Sequence, residues 1–150
     1  MNILEAINQK SFNSSYEKAV VNLLYTHNWI RDKQHEVFKP YGLKMQHYNV
    51  LRILKGRHPE AYSPGEIKEV MLDKAPDLTR LIDKMVDMGL VDRHLCPDNR
   101  RKMNVFITDK GQTLVNEITQ LQAAFRDNIQ NRMSDDEAEQ LSDLLDKMRN

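Results

Sequence analysis

The spacing of apolar residues predicts a chain built mostly from amphipathic helices. From about 13 to 38, apolar side chains recur every three or four residues, which is the period of one helical face. The same spacing predicts a second helix over about 44–55 and a long helix from Thr108 to about 129. The first stripe consists of Tyr16, Val20, Leu23, Leu24, His27 and Ile30. Each of these helices should therefore have one apolar side and one polar side.

Two polar clusters have the chemistry of helix starts. In the first, Ser63 can cap a helix, Pro64 suits its first turn, and Glu66 can reach back to the cap amide. A second capping box over 134–137 should open a terminal helix that runs to about 148. The first cluster predicts a short helix over 64–72. Its expected inward-facing residues are Ile67, Val70 and Met71.

A further helix and two short strands are predicted in the middle of the chain. The helix covers about 76–88 and should stop at Gly89, where a left-handed residue suits the end of a helix. Its apolar side is formed by Leu78, Leu81, Ile82 and Met85. Alternating apolar positions then predict strands over 91–95 and 104–107, joined by a polar loop. The two strands should form a hairpin with a basic tip.

The order of these elements is that of a winged helix-turn-helix. A protein that reads duplex DNA in this way needs a rigid helix in the major groove, held by a preceding helix that crosses the backbone. The helix over 64–72 would be the support and the helix over 76–88 the reader. The polar flank of the reader is formed by Asp77, Thr79, Arg80, Asp83 and Lys84.

Three motifs in this order resemble the MarR family. Residues 78–93 are similar to that family's TR-x-x-D reader helix followed by GLV-x-R, and 104–111 are similar to the end of its wing. Upstream, 43–51 fit its second helix. The wing departs at one place, because the acid that usually precedes the paired arginines is Asn99 here, with Asp98 one position earlier. Either Asp98 takes over through a shifted loop, or this wing is less rigid.

The resemblance implies a mainly α fold with a small β-hairpin wing, flanked by N- and C-terminal dimerisation helices. It implies one domain over 1–150, with a winged-helix core at about 43–108 and dimerisation helices at about 13–38 and 109–150. A homodimer would place its reader helices in successive major grooves and wing arginines in the minor groove. The residues expected at the DNA are Ser63, Pro76, Asp77, Thr79, Arg80, Lys84, Arg100, Arg101 and Lys102.

The resemblance also raises the question of a small-molecule effector. His27, Trp29 and His47 are the candidate effector residues, although packing explains each of them as well. Cys96 invites a redox-sensor interpretation, but it lies where the wing begins rather than in the first helix. The five histidines lack the helical spacing that binds one metal ion. We therefore expect no metal and no cofactor.

The distribution of charge along the chain is more informative than the net charge. The formal net charge is zero, yet 93–102 carry four Lys or Arg against one Asp, whereas 134–150 carry six acids against two bases. A basic middle suits phosphates and an acidic tail suits solvent. The even total keeps an alternative open, in which the winged helix binds another protein and not DNA.

Composition excludes several other classes. A chain of 150 residues that is 40% hydrophobic with five Gly and five Pro describes an ordered, helix-rich protein. A single cysteine fits a reducing compartment, and the sequence shows neither a long apolar run nor a signal-peptide pattern, so we expect a cytoplasmic protein without membrane contact. We expect no enzyme, because no nucleophile elbow, phosphate-binding glycine loop or metal triad occurs.

Overall fold

The chain divides into two compact units, residues 1–36 and residues 37–150. The computed structural model describes residues 1–73, 77–96 and 99–150, with the side chains of 96 and 99–102 outside the description. The first unit contains the short helix α1 (Ile3–Ala6) and most of α2 (Ser15–Phe38). Asn2 caps α1 and exchanges hydrogen bonds with Glu5.

The second unit combines helices with one antiparallel hairpin. A turn of 3-10 helix (Lys39–Tyr41) leads to α3 (Met45–Arg57), α4 (Pro64–Val70) and α5 (Leu78–Asp87). The strands β1 (Val91–Cys96) and β2 (Asn99–Ile107) follow, and then α6 (Asp109–Leu121), α7 (Ala123–Gln130) and α8 (Asp135–Arg149). The predicted class, mainly α with a small β-hairpin wing, is confirmed.

The predicted capping residues start their helices as the sequence indicates. Ser63 and Ser134 each form a complete capping box with the glutamate three residues later. Thr108 caps α6 by accepting from the Gly111 amide. Gly89 follows α5 with a φ of 69°, the left-handed region in which a glycine carries no Cβ penalty.

The core of the second unit joins its helices to the hairpin. Its fully buried side chains come from the end of α2, from α3, α4 and α5, from the residue before β1, from both strands and from α6. The largest of them include Phe38, Leu51, Leu54, Ile67, Met85, Leu90 and Ile118. This packing fixes α4, α5 and the hairpin against one another, which is what a rigid reading surface requires.

Three sequence expectations were wrong in detail. Val70 is 53% exposed rather than inward, because α4 ends there and Met71 already has extended backbone angles. The residues expected as the polar loop of the hairpin belong largely to its strands, since Cys96 pairs with Asn99 after a register shift. The long helix after Thr108 is interrupted at Gln122, although Gln122 keeps right-handed helical angles and the bonding continues through it.

One boundary and one helix also differ from the predictions. The reader helix begins at Leu78 rather than 76, because Asp77 is its cap, and the short helix α1 was not predicted from the sequence.

Within the described residues, the helices lack the combination of length and apolar character needed to cross a bilayer.

Candidate nucleic-acid interface

One side of α5 is buried and the opposite side is open. Leu78, Ile82 and Met85 pack into the core. Thr79 and Arg80 are exposed, and the Arg80 side chain keeps 87% of its accessible surface. A helix held so firmly on one side presents its other side in a fixed orientation, as groove recognition needs.

Asp77 engages the start of α5 with both carboxylate oxygens. Its Oδ1 accepts a hydrogen bond from the Arg80 backbone N–H at 3.2 Å. Its Oδ2 lies 2.9 Å from Arg80 Nε. The sequence predicted Asp77 and Arg80 as separate DNA contacts, whereas the structure brings them together as a pair.

Two further polar residues of α5 contact neighbouring elements. The Lys84 ammonium donates to the carbonyl of Gly42, just after the 3-10 turn. Asp83 forms an ion pair with Arg93 on β1. Lys84 is thus occupied within the protein, and the Asp83–Arg93 pair ties the reader helix to the first strand of the hairpin. Neither long-range interaction was predicted.

Ser63 lies at the start of α4 in a network of charged groups. Its hydroxyl donates to Glu66 Oε2 at 2.8 Å, and Arg57 Nη1 lies 3.2 Å from Glu66 Oε1. The hydrogen bonds from Ser63, first from its amide and then from its hydroxyl, together with the Arg57 guanidinium lower the pKa of Glu66 to about 2. Arg57 also stacks over Tyr62, 4.5 Å from the ring centre. The network fixes the support helix at its N-terminal end.

The hairpin is joined to the entry of α4. Tyr62 and Val105 exchange two backbone hydrogen bonds, of 3.1 and 2.8 Å, so that Tyr62 continues the sheet beside β2. The backbone of Arg100, Arg101 and Lys102 belongs to β2. Their side chains, and the whole of Pro76, lie outside the described residues. The predicted basic positions are therefore located along a strand that is anchored at its far end.

The three candidate effector residues differ sharply in exposure. His27 and Trp29 are exposed on α2 in the first unit, where Trp29 is 37% exposed. His47 is buried in the second unit with 3% exposure. Its Nδ1 accepts the Lys44 backbone N–H at 3.0 Å, which completes the cap of α3. This hydrogen bond gives His47 a structural role.

Acid should destabilise the protein through His47. Burial, and then the positive charges of Lys84 and Lys44, lower the pKa of His47 below its usual 6.5. Since the unfolded chain binds this proton more tightly, the stabilisation is complete above pH 6.5 and is lost as the pH falls. We expect the urea midpoint to decrease from pH 7.5 to pH 5.

The matched variant for this prediction is His47→Gln, because a glutamine oxygen can accept the same amide and cannot titrate. We expect a smaller decrease of its midpoint over the same pH range. An equal decrease in both proteins would assign the acid sensitivity to other groups.

A surface cleft near the C-terminal end of α5 was not predicted from the sequence. It encloses about 520 Å³ and is lined by residues that include Tyr41, Met88, Lys110 and Glu117. Tyr41 donates its hydroxyl hydrogen to Glu117 Oε1 at 2.7 Å, and Lys110 donates to the Met88 carbonyl at 2.7 Å. In the sequence Tyr41 looks like an ordinary turn residue after a predicted helix. Its place in the cleft depends on Glu117, which is distant in the sequence, so the cleft could not be predicted.

Comparisons with known proteins agree with this geometry. A family model described as the MarR family matches residues 41–102. A MarR transcription factor from Planctomyces limnophilus is 32% identical in sequence, with a TM-score of 0.71. The alignment covers 91% of this chain and 98% of that chain. This chain belongs to the MarR family. The family prediction from the sequence is confirmed.

Two more distant structures show how widely the MarR fold is shared. A MarR-like transcription regulator from Bacillus cereus has a TM-score of 0.77 at 19% identity, over 88% of this chain and 94% of that one. A mutant MarR from E. coli, solved in complex with operator DNA, has a TM-score of 0.73 at 22% identity, over 99% of both chains. At these identities the likeness concerns the fold. The chain therefore has the fold of a MarR-family transcription regulator.

Proposed function

We propose that this chain is a homodimeric repressor that binds a pseudo-palindromic DNA operator by sequence and is released by a small-molecule effector. The observation that carries the proposal is the exposed Thr79–Arg80 flank of α5, opposite a buried apolar side and beside a hairpin with three consecutive basic positions. The operator complex of the E. coli relative supports duplex DNA as the partner.

The dimensions of α5 suit a major groove. Its ten residues give a rod about 15 Å long, and a helix with its side chains is about 10–12 Å wide. The major groove of B-DNA is about 12 Å wide and displays a distinct pattern of donors and acceptors for each base pair. Thr79 and Arg80 lie in the first turn of α5, the part of a reader helix that reaches base edges.

The hairpin suits the flanking minor groove. Arg100, Arg101 and Lys102 directly follow Asn99, the first residue of β2, which pairs with the last residue of β1. An arginine in the minor groove responds to groove width and negative potential more than to base identity. The hairpin would then add affinity, while α5 would provide most of the sequence preference.

Exposed apolar side chains support the homodimer. On α8, Leu141, Leu144 and Met148 are exposed, with Leu144 at 64%. On α2, Tyr16 and Leu24 are exposed as well. Apolar stripes on long helices are seldom left to water, and a second copy of the chain is the partner that symmetry makes available. Two reader helices would then meet half-sites about one DNA turn, roughly 34 Å, apart.

Sedimentation should show a dimer. At micromolar concentration we expect a mass of twice the 17.6 kDa of one chain. A charge at Leu144 should weaken the association, because it would be buried without a partner. Leu144→Glu should therefore shift the mass toward one chain, whereas Leu72→Glu, at another exposed leucine, should not. A wild-type protein that sediments as a monomer would contradict the proposed assembly.

The cleft beside the end of α5 supports release by an effector. Met88 and Leu90, two of its lining residues, follow directly on the reader helix. A ligand bound there would contact the segment that fixes the position of α5. Such a ligand would act by favouring a position of α5 that fits DNA less well.

Selection from random duplexes, followed by gel shifts over a salt series, tests the proposal. We expect one enriched pseudo-palindrome and an affinity that falls steeply as salt rises, because binding releases counterions from the phosphates. If no sequence is enriched and no shift appears even at low salt, the alternative of a protein-binding winged helix is favoured.

Charge at the hairpin should set part of this salt dependence. Removing two bases per subunit with Arg100→Gln and Arg101→Gln together should reduce the slope of log affinity against log salt by about one for each phosphate that the protein no longer neutralises. The control replaces Lys147 and Arg149 at the end of α8, which removes equal charge and should change the slope less. Equal slopes for the hairpin variant and the wild type would remove the hairpin from the interface.

A further inference from the structure

The start of α5 carries a carboxylate and a guanidinium in a defined arrangement. Asp77 Oδ1 accepts the Arg80 backbone N–H at 3.2 Å, and Asp77 Oδ2 lies 2.9 Å from Arg80 Nε. One carboxylate thus holds both the backbone and the side chain of the same arginine. Because the two residues are three apart at a helix start, the pair belongs to a single rigid turn.

This pairing leaves one edge of the guanidinium for an external partner. Asp77 forms its ion pair on the Nε side of the guanidinium, and within the described residues the Nη1–Nη2 edge of Arg80 has no protein partner. The Arg80 side chain is 87% exposed, so the edge is open to solvent. Two parallel N–H groups in a plane match the O6 and N7 acceptors that guanine displays in the major groove.

We infer that Asp77 is a positioning residue. It holds the Arg80 guanidinium on its Nε side, so that the Nη1–Nη2 edge faces outward and reads a guanine in the major groove. The inference rests on the proposed function. It adds which base Arg80 recognises and which residue orients Arg80. In this inference Asp77 acts through Arg80, which both of its carboxylate oxygens contact, and not through a base of its own.

Two physical effects make the Asp77–Arg80 pair a source of specificity. A free arginine loses much of its side-chain freedom when it binds, and an arginine that is already held loses less. The negative charge of Asp77 also weakens the attraction of this region for phosphates of any sequence. Both effects increase the difference between the correct base and a wrong one. They predict opposite changes in specific and non-specific binding when the Asp77 charge is removed.

The test compares variants on the duplex selected by the wild type, on duplexes altered at one position per half-site, and on an unrelated duplex. Asp77→Asn keeps an oxygen that can cap α5 but cannot pair strongly with Nε. We expect about a threefold to tenfold loss of guanine preference at the position read by Arg80, with binding to the unrelated duplex unchanged or tighter. A residue that only caps the helix would weaken binding to both duplexes together.

Further variants separate charge, geometry and folding. Arg80→Lys keeps the charge without the planar fork and should lose the guanine preference by about tenfold while keeping non-specific affinity. Asp87→Asn removes the same charge from the other end of α5 and should leave the preference intact. Asp77→Ser is a second variant in case Asp77→Asn is poorly folded. Its hydroxyl can also cap α5, and it should show the same loss of guanine preference.

The outcomes distinguish this inference from the proposed function. If the wild type selects a sequence but Asp77→Asn and Asp77→Ser keep its full preference, the positioning role is wrong and sequence-specific binding stands. If the position sensitive to Arg80→Lys is not a guanine, the assigned base is wrong. If the wild type selects no sequence at all, the proposed function fails and the inference fails with it.

Discussion

Replacing Arg80 by alanine is expected to weaken operator binding by about 1–3 kcal/mol, or roughly fivefold to 150-fold. The weakening has two sources, since the variant removes a bidentate donor from a base edge and a positive charge from a phosphate-rich surface. The side chain is 87% exposed, so its removal should leave the fold unchanged. Fluorescence titration of the selected duplex measures the effect.

The control for this prediction is Arg126→Ala on α7. Arg126 is exposed and lies beside an aspartate, as Arg80 does, but outside the proposed interface. It should bind the operator within about twofold of the wild type, since a distant exposed charge contributes little at moderate salt. Equal affinities for Arg80→Ala and the wild type would show that α5 does not read the operator through this residue.

Replacing Gly111 by alanine is expected to destabilise the fold by about 3 kcal/mol, at the upper end of overpacking effects. A Cβ at Gly111 would lie 2.2 Å from the carbonyl oxygen of Leu90 and 2.8 Å from Ile107 Cγ1. The oxygen belongs to the backbone and cannot move away as a flexible side chain would. The first turn of α6 would therefore have to shift away from the base of the hairpin. Urea unfolding at fixed protein concentration measures the destabilisation.

Gly56→Ala is the matched control for Gly111→Ala. Gly56 lies within α3, and no atom would lie within 4 Å of a Cβ added there. An alanine favours a helix interior over a glycine by about 0.5–1 kcal/mol, so this variant should be as stable as the wild type or slightly more stable. A Gly111→Ala protein as stable as Gly56→Ala would mean that α6 does not pack this closely on Leu90.

Much of the fold could be predicted because its helix starts depend on local chemistry. Ser63, Thr108 and Ser134 cap their helices with side chains that reach only three residues along the chain. Gly89 ends α5 through its own backbone freedom. Such local signals can be recognised in the sequence without knowledge of the tertiary packing.

The hairpin was harder to predict because its length depends on pairing across strands. Cys96 and residues 99–103 were predicted as part of a polar loop, yet they belong to the two strands, which pair through a register shift. Val70 was misplaced for a related reason, since the apolar spacing was followed up to Val70, which is the last residue of α4 and is exposed. Periodicity alone does not show where an element stops.

The candidate site also combines local interactions, which the sequence indicates, with long-range interactions, which it does not. The Asp77–Arg80 pair lies within one turn, so its spacing was visible in the sequence even though its meaning was not. Lys84 with Gly42, Asp83 with Arg93, and the burial of His47 depend on interactions between separate elements. The sequence therefore indicated which helix carries the polar flank, but not which of its polar residues are already occupied.

Site-directed cross-linking tests most directly whether the Thr79–Arg80 flank of α5 enters the major groove. In a Cys96→Ser background, Thr79→Cys would be incubated with the selected duplex carrying a thiol tether on either groove, with Gln120→Cys on α6 as control. We predict a disulfide between Thr79→Cys and a major-groove tether within each half-site, and none with minor-groove tethers or with the control. Cross-linking of Thr79→Cys only to minor-groove tethers, or to no tether on a duplex that is demonstrably bound, would contradict the account.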